Sequence, residues 1–345
     1  MSALLLAESF VHTLDPFVFE IAPGVGPRWY GLSYLAGFIV GWLVLRSIAR
    51  RGLVPLTPHQ VGDLLTWLVI GVLVGGRVGH VLFYDRPLLW TFDDSFPWWG
   101  LLAIHKGGMS SHGGVIGVAI ACWLFARRRG WRMSDVSDPV VLAAGPGLGF
   151  GRLANLVNGE LWGKALPDSM QASPPWWSIK YPEEVLDPNF ANAALLENLR
   201  PLVDPQRPFP QSLVDAAYVG RDGVVEALAP LLTAYHPSQL YQAITDGLII
   251  PLVLVAVWWK PRPSGMLTGA FFVAYGVLRT MTEQFRQPDE GVFMLGPITL
   301  PMLLSLGMIA IGAAVILATR RQPRIGGLSL AEGSFASGTR NSSTP

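Results

Sequence analysis

The chain has 345 residues, 51% of them hydrophobic and only 14% charged, with a mean hydropathy of +0.40. A soluble domain carries about 25% charged residues, so this composition excludes an ordinary water-soluble globule and indicates a membrane protein. A formal net charge of +1 without a basic run interleaved with aromatics gives no footing for nucleic acid, and a single cysteine, Cys122, excludes a disulfide framework or a thiolate metal site.

Residues 1–27 contain Glu8, Asp15 and Glu20 and no basic n-region, so they are expected to form an outer N-terminal segment, not a cleavable signal peptide. Seven segments are apolar and long enough to cross a bilayer: Trp29–Leu45, Val61–Phe83, Met109–Ala126, Val140–Asn158, Ser238–Trp259, Gly265–Phe285 and Ile298–Thr319. The expected fold is therefore an all-α polytopic membrane protein with seven transmembrane helices. Spans one to four lie in 28–160, an outward-facing irregular head insert occupies 161–237, spans five to seven lie in 238–319, and a disordered tail covers 320–345. The fourth span holds Gly145, Pro146, Gly147, Gly149 and Gly151, which predicts close helix contact or an irregular turn.

Basic clusters orient this arrangement. Arg46, Arg50 and Arg51, then Arg127, Arg128, Arg129 and Arg132, then Lys260 and Arg262, then Arg320, Arg321 and Arg324 all fall on one side of a seven-span topology. That side is expected to be cytoplasmic, with the N-terminus outside and the C-terminus inside. Trp90, Trp98 and Trp99 in the outer loop 84–108 suit an aromatic belt. The sequon Asn341-Ser342-Ser343 falls on the cytoplasmic side, where it is a chance match.

Polar residues inside these apolar segments point to chemistry. The run Gly151–Lys164 places Arg152, Asn155, Asn158 and Glu160 at the end of the fourth span. An Arg at membrane depth costs about 2.5–3.5 kcal/mol on insertion scales, so it persists where it faces a polar cavity with partners. Snorkelling to the nearby interface is the alternative. Arg77, His80, Arg279 and Glu283 in other outward-running spans, and Tyr30, Ser110, Ser111, His112, His236 and Gln239 near the outer starts of inward-running ones, converge on the outer leaflet. In the sixth span, Tyr275, Arg279, Glu283 and Arg286 are spaced by four, four and three residues and form one helical stripe. An Arg279–Glu283 ion pair that only neutralises itself would satisfy this spacing. Two guanidiniums converging in a low-dielectric cavity also suit an anion, and an outer-leaflet anion within a helix bundle is most simply a phospholipid headgroup. His112, set among Gly107, Gly108, Gly113 and Gly114, is either structural or a base and hydrogen-bond donor, with glycines that let backbone approach a ligand.

Gly151–Lys164 closely resembles the signature of bacterial prolipoprotein diacylglyceryl transferases, Gly-Arg-x-Gly/Ala-Asn-x-x-Asn-x-Glu-x-x-Gly. Further segments agree in order: Arg28–Leu32, Gly75–Gly79, His112–Gly117, His236–Tyr241 and Tyr275 through Asp289. The resemblance implies transfer of the diacylglyceryl group of phosphatidylglycerol to the lipobox cysteine of a prolipoprotein, before signal-peptide removal, with release of glycerol 1-phosphate. It also implies a multi-pass protein of the bacterial cytoplasmic (inner) membrane and essential roles for the positions matching His112, Arg152 and Arg279. Tyr30, Asn155, Glu160, Gly163, Tyr275 and Glu283 match further important positions, and Asn158, Arg286 and Arg77 join them as expected phosphatidylglycerol-binding residues. The substrate supplies its own cysteine nucleophile. The expected need is for cations on the departing phosphate and help in forming thiolate. His112 would assist deprotonation or orient the headgroup; an arginine-polarised thiol or Glu160 could serve instead. No metal or cofactor is expected.

The sequence departs from the family pattern at His80 (usually Tyr), at Gln242 (usually Glu) and over 295–299, which lacks a Gly-Gln element. Three other readings compete. A seven-span transporter lacks a polar path to the inner side and paired broken helices. A serine protease would have to use Ser110 or Ser111 with His112 as a poor dyad, without a nucleophile elbow. Another phospholipid headgroup transferase would share the two-arginine site, and only the resemblance separates it.

Overall fold

The computed structural model describes residues 8–22, 25–94, 96–104, 107–288, 294–295, 298–322 and 324–329. Of the expected disordered tail 320–345, residues 323 and 330–345 with the sequon lie outside these residues, as do positions 296–297 of the departing segment; Arg324–Ile325 is not disordered but pairs antiparallel with Arg262–Pro263.

The first four expected spans are helices: α1 (Trp29–Arg50), α2 (Gln60–Phe83), α3 (Ser111–Arg128) and α4 (Met133–Val157). The fifth runs as helix Ser238–Ile244, a wide π-type turn Thr245–Ile249, and helix Ile250–Val257. Met266–Glu283 and Leu300–Thr319 complete the set. Among the described residues, five helices are both long and apolar enough to cross a bilayer. α3 and Met266–Glu283 each have 18 residues and carry polar groups that lower their hydropathy. This chain is thus an integral membrane protein of mainly helical structure. Its apolar surface agrees: Leu35, Ile39 and Leu43 of α1 recur every fourth residue on an exposed stripe, as lipid contact requires.

The chain divides into two compact units. The first comprises Met1–Gly37, Gly147–Ile249 and Tyr275–Gly307. Here β1 (Phe10–Val11) pairs in parallel with β2 (Ile179–Lys180), so the N-terminal segment is stitched to the insert. The insert contains only short helices, the longest Gln211–Tyr218. Leu213, Ala217, Val224 and Leu228 are fully buried in a core of its own with Val185, Leu196 and Leu232. Gly149 lies so close to Gly247 that a Cβ would come within 2.6 Å of its Cα, and Gly147 and Gly37 meet similarly. Close helix contact, not an irregular turn, is what the glycines of the fourth span provide; its helix is continuous through Pro146.

The second unit comprises Phe38–Pro146, Ile250–Ala274 and Met308–Pro345. Its α2 and α3 cross through glycines: a Cβ on Gly79 would sit 2.6 Å from the Gly113 Cα, and one on Gly75 2.7 Å from the Gly117 Cα. Small residues let two backbones touch where lipid supplies no hydrophobic drive between helices. Gly113 is therefore occupied by a helix contact, a use that the sequence reading gave to ligand approach. Asp138 caps the start of Met266–Glu283, accepting from Gly265 N (2.7 Å) and Thr268 N (2.9 Å).

Candidate active site

Arg152 lies on the last turns of α4, where the first unit holds it. Its Nε donates to Asp246 Oδ2 at 3.1 Å, and its guanidinium also hydrogen-bonds the Tyr275 hydroxyl. The Asp246 side chain is 2% exposed and that of Arg152 19%. Asp246 sits in the π-type turn, where an extra residue per turn re-aims side chains, a feature frequent at functional positions. Thr245 Oγ1 also donates to Asp246 Oδ1, at 3.4 Å.

One turn-step from Tyr275, Arg279 pairs with Glu283: Nη2 to Oε2 is 2.8 Å, with both side chains buried. The i,i+4 ion pair expected from spacing thus exists. It consumes only one edge of the guanidinium, because the other terminal nitrogen, Nη1, is buried and has no hydrogen-bond partner among the described residues. Arg152 and Arg286 each lie close enough to Arg279 for their charge to repel its own. Two buried carboxylates, Asp246 and Glu283, lie among these guanidiniums, each paired with one of them. A buried donor without an acceptor costs about 1–3 kcal/mol, more when it is charged, and such a cost is offset by a bound anion.

Tyr30, at the start of α1, feels the charges of both Glu160 and Arg152 and packs on Tyr34 with ring centroids 5.3 Å apart. Asn155 is buried, and its carbonyl accepts the Glu160 N–H at 3.0 Å. Asn158 Nδ2 donates to Glu160 Oε1 at 3.2 Å, while Asn158 Oδ1 is buried with no partner among the described residues. Glu160 itself is exposed. Beyond it the chain runs between two neighbours. Lys164 N donates to Phe285 O (2.8 Å), Gln287 N to Trp162 O (3.1 Å) and His236 N to Lys164 O (3.0 Å). Gly163 bridges to Arg286 in that sandwich, and a Cβ on it would overlap the His236 carbonyl. That close approach leaves no room for a side chain at Gly163.

The first unit thus gathers Tyr30, Arg152, Asn155, Asn158, Glu160, Gly163, Tyr275, Arg279, Glu283 and Arg286. His112 and Arg77 belong to the second. His112 is exposed at the second position of α3, which Ser110 caps by accepting the Gly113 N–H at 3.2 Å. Ser110 is 4% exposed and engaged as a cap, so it is no nucleophile. Arg77 is buried, and its nitrogens donate to the carbonyls of Gly100, Leu101, Gly107 and Gly108 at 2.6–3.0 Å. Its guanidinium therefore holds the loop that leads to His112. Of the departing positions, His80 stacks on Tyr84 (5.9 Å) and Gln242 is buried. Asp246 was not among the expected residues. An acid inside an apolar run was its signal, but spacing alone could not name a partner 94 residues away.

The fold and site define an integral membrane protein in which buried arginines are paired with buried carboxylates. The family model for prolipoprotein diacylglyceryl transferase matches residues 16–318. A phosphatidylglycerol–prolipoprotein diacylglyceryl transferase of Bdellovibrio bacteriovorus is 37% identical over 337 residues, covering 90% of this chain and 94% of that one. Proteins of the same name from Xanthomonas oryzae pv. oryzae and Xylella fastidiosa are 36% and 35% identical, covering 91% of this chain and 94% and 95% of theirs. The chain belongs to the prolipoprotein diacylglyceryl transferase family.

Proposed function

We propose that this protein transfers the diacylglyceryl group of phosphatidylglycerol to the thiol of a prolipoprotein's lipobox cysteine. The sulfur attacks the glycerol carbon that bears the phosphate; a C–S bond forms, the C–O bond breaks, and glycerol 1-phosphate departs. The thiol proton passes to a base. As the C–O bond breaks, the phosphate changes from diester monoanion toward monoester dianion, so fixed cations that meet it lower the barrier. The observation that carries this reading is the buried Nη1 of Arg279, which has no hydrogen-bond partner among the described residues, in a guanidinium already paired with Glu283.

In this reading Arg279 and Arg152 hold the phosphate, each aimed by its carboxylate, Glu283 and Asp246. Guanidinium suits this task because it remains charged when desolvated. Tyr275, Tyr30, Asn155, Asn158 and Arg286 complete the headgroup's surroundings, and Gly163 keeps the turn close. His112 assists thiol deprotonation or orients the headgroup, with Glu160 as the alternative base, and Arg77 acts through the loop it holds. We further read the chain as seven spans with the N-terminus outside and the reaction at the outer leaflet of the bacterial cytoplasmic membrane. The side of the four basic clusters supports that orientation.

The test is purified protein in phosphatidylglycerol vesicles with a lipobox peptide. Glycerol phosphate release that requires the peptide cysteine, and ceases with a Cys-to-Ser peptide, is expected. Release that ignores the cysteine would indicate hydrolysis or another acceptor and overturn the reading.

A further inference from the structure

His12, in the N-terminal segment, is fully buried. Its main-chain N–H donates to Lys180 O at 2.8 Å, continuing the β1–β2 ladder, and its ring packs on Tyr181 with centroids 5.4 Å apart. The ring contacts polar groups at both nitrogens. Nε2 lies 2.7 Å from the Leu156 carbonyl, and Nδ1 lies 3.1 Å from the Tyr218 hydroxyl. Tyr218 in turn hydrogen-bonds Glu183 Oε1.

Leu156 is the penultimate residue of α4, so its carbonyl is among the last four that a helix leaves short of partners. It accepts Gly159 N–H at 3.0 Å as well as His12. The turn that follows rests on the same groups: a Cβ on Gly159 would lie 3.1 Å from His12 Cε1 and 3.4 Å from Glu183 Oε1. Its other carbonyls are also taken. Glu160 O accepts from Gln239 Nε2 (2.7 Å), Leu161 O from Ser238 Oγ (3.0 Å) and Trp162 O from Gln287 N (3.1 Å). Among the described residues, His12 is the one clamp on this turn that comes from the N-terminal segment.

The protons fix the roles. A carbonyl only accepts, so Nε2 of His12 carries a hydrogen. The other ring nitrogen, Nδ1, meets the Tyr218 hydroxyl, which continues the chain to Glu183 Oε1. The relay needs all three side chains. Burial and Glu183 push the Tyr218 phenol up, so tyrosine stays protonated within it.

We propose that His12 is a positioning residue of the transferase, holding the turn Asn158–Gly163 through the Leu156 carbonyl and tying it, through Tyr218 and Glu183, to the 161–237 segment. The insert thereby sets the geometry of Asn158 and Glu160, next to Arg152 and Asn155. This rests on the transferase reading for its activity readout only; the structural readout is independent of it.

The experiment compares wild type, His12→Ala, His12→Gln and Tyr218→Phe in vesicles of phosphatidylglycerol with a lipobox peptide, by backbone hydrogen exchange over 155–164 and by kcat and KM. Loss of one buried hydrogen bond to this turn is expected to speed its exchange, and to lower kcat, by about tenfold in His12→Ala, with KM for the lipid little changed. Glutamine places an amide donor near the Nε2 position and is expected to restore most of both. Tyr218→Phe should show a smaller effect in the same direction. Exchange and kcat unchanged in His12→Ala, or His12→Gln as impaired as His12→Ala, would overturn the proposal. A wild type with no transfer activity would defeat the transferase reading instead, and the exchange comparison would still decide this one.

Discussion

Asp246→Ala isolates how much the aim of Arg152 contributes. Asp246 is buried and is bonded to Arg152 Nε at 3.1 Å, so the substitution removes one partner of a buried pair and leaves the other charge in place. Such a loss costs about 3–5 kcal/mol in general. Arg152 keeps its contact with Tyr275 and is partly exposed, which places the cost at the lower end, about 3 kcal/mol. If that cost falls on the arrangement that meets the leaving phosphate, the rate drops about 100-fold, at 1.4 kcal/mol per tenfold. The assay is kcat/KM for glycerol phosphate release with the lipobox peptide, in wild type, Asp246→Ala, Arg152→Ala and the double variant. Groups that act as a unit are non-additive, so Asp246→Ala should cost far less in the Arg152→Ala background. A folded Asp246→Ala enzyme within threefold of wild type, or a fully additive cycle, would refute the coupling (threefold being about 0.65 kcal/mol, close to the usual error of such cycles).

Other consequences concern packing and titration. Gly163→Ala places a methyl against the His236 carbonyl, so it should lower the thermal midpoint and reduce activity at least tenfold, which circular dichroism melts and the same assay would report. Arg77→Ala leaves the carbonyls of Gly100, Leu101, Gly107 and Gly108 without their donor; protease sensitivity of loop 100–108 should rise and activity fall, while Arg77→Lys recovers little because an ammonium cannot serve the same fork of acceptors. Burial holds the His236 imidazole below its ordinary value. The unfolded chain then binds the extra proton first, so this contribution to stability is present above the ordinary value near 6.5 and is lost as pH falls through the folded value. His236→Gln should therefore flatten the fall in thermal midpoint between about pH 7 and pH 5.

Residues whose signal is local were legible in the sequence. The four-residue spacing of Tyr275, Arg279 and Glu283 dictates a shared helical face whatever the surrounding fold, and the Arg279–Glu283 pair follows at 2.8 Å. Arg152 announced itself by the cost of a charge in an apolar run. What long-range packing decides could not be read. Asp246 gains meaning only from a π-type turn that points it at a residue 94 positions earlier. His12 gains meaning only when a two-residue ladder lays it under the end of α4. Gly113 resembled a ligand-approach glycine and is instead filled by α2, because glycine permits either use and only the partner decides. The insert lacked strong periodicity, and its short helices hold together by a core assembled from distant pieces such as Val185, Leu213 and Leu228.

The central claim is that Arg279 and Arg152 together meet the phosphate as it leaves, with Arg279 Nη1, unpartnered among the described residues, as the donor. The most direct measurement is single-turnover transfer from phosphatidylglycerol to a lipobox peptide by wild type, Arg279→Ala, Arg152→Ala and the double variant, each confirmed folded by exchange or melting. Each single variant should lose about 10²–10³-fold or more in the chemical step, with the double variant little worse than the poorer single. An Arg279→Ala protein that turns over within tenfold of wild type would contradict the account, because the buried donor would then have no part in the reaction.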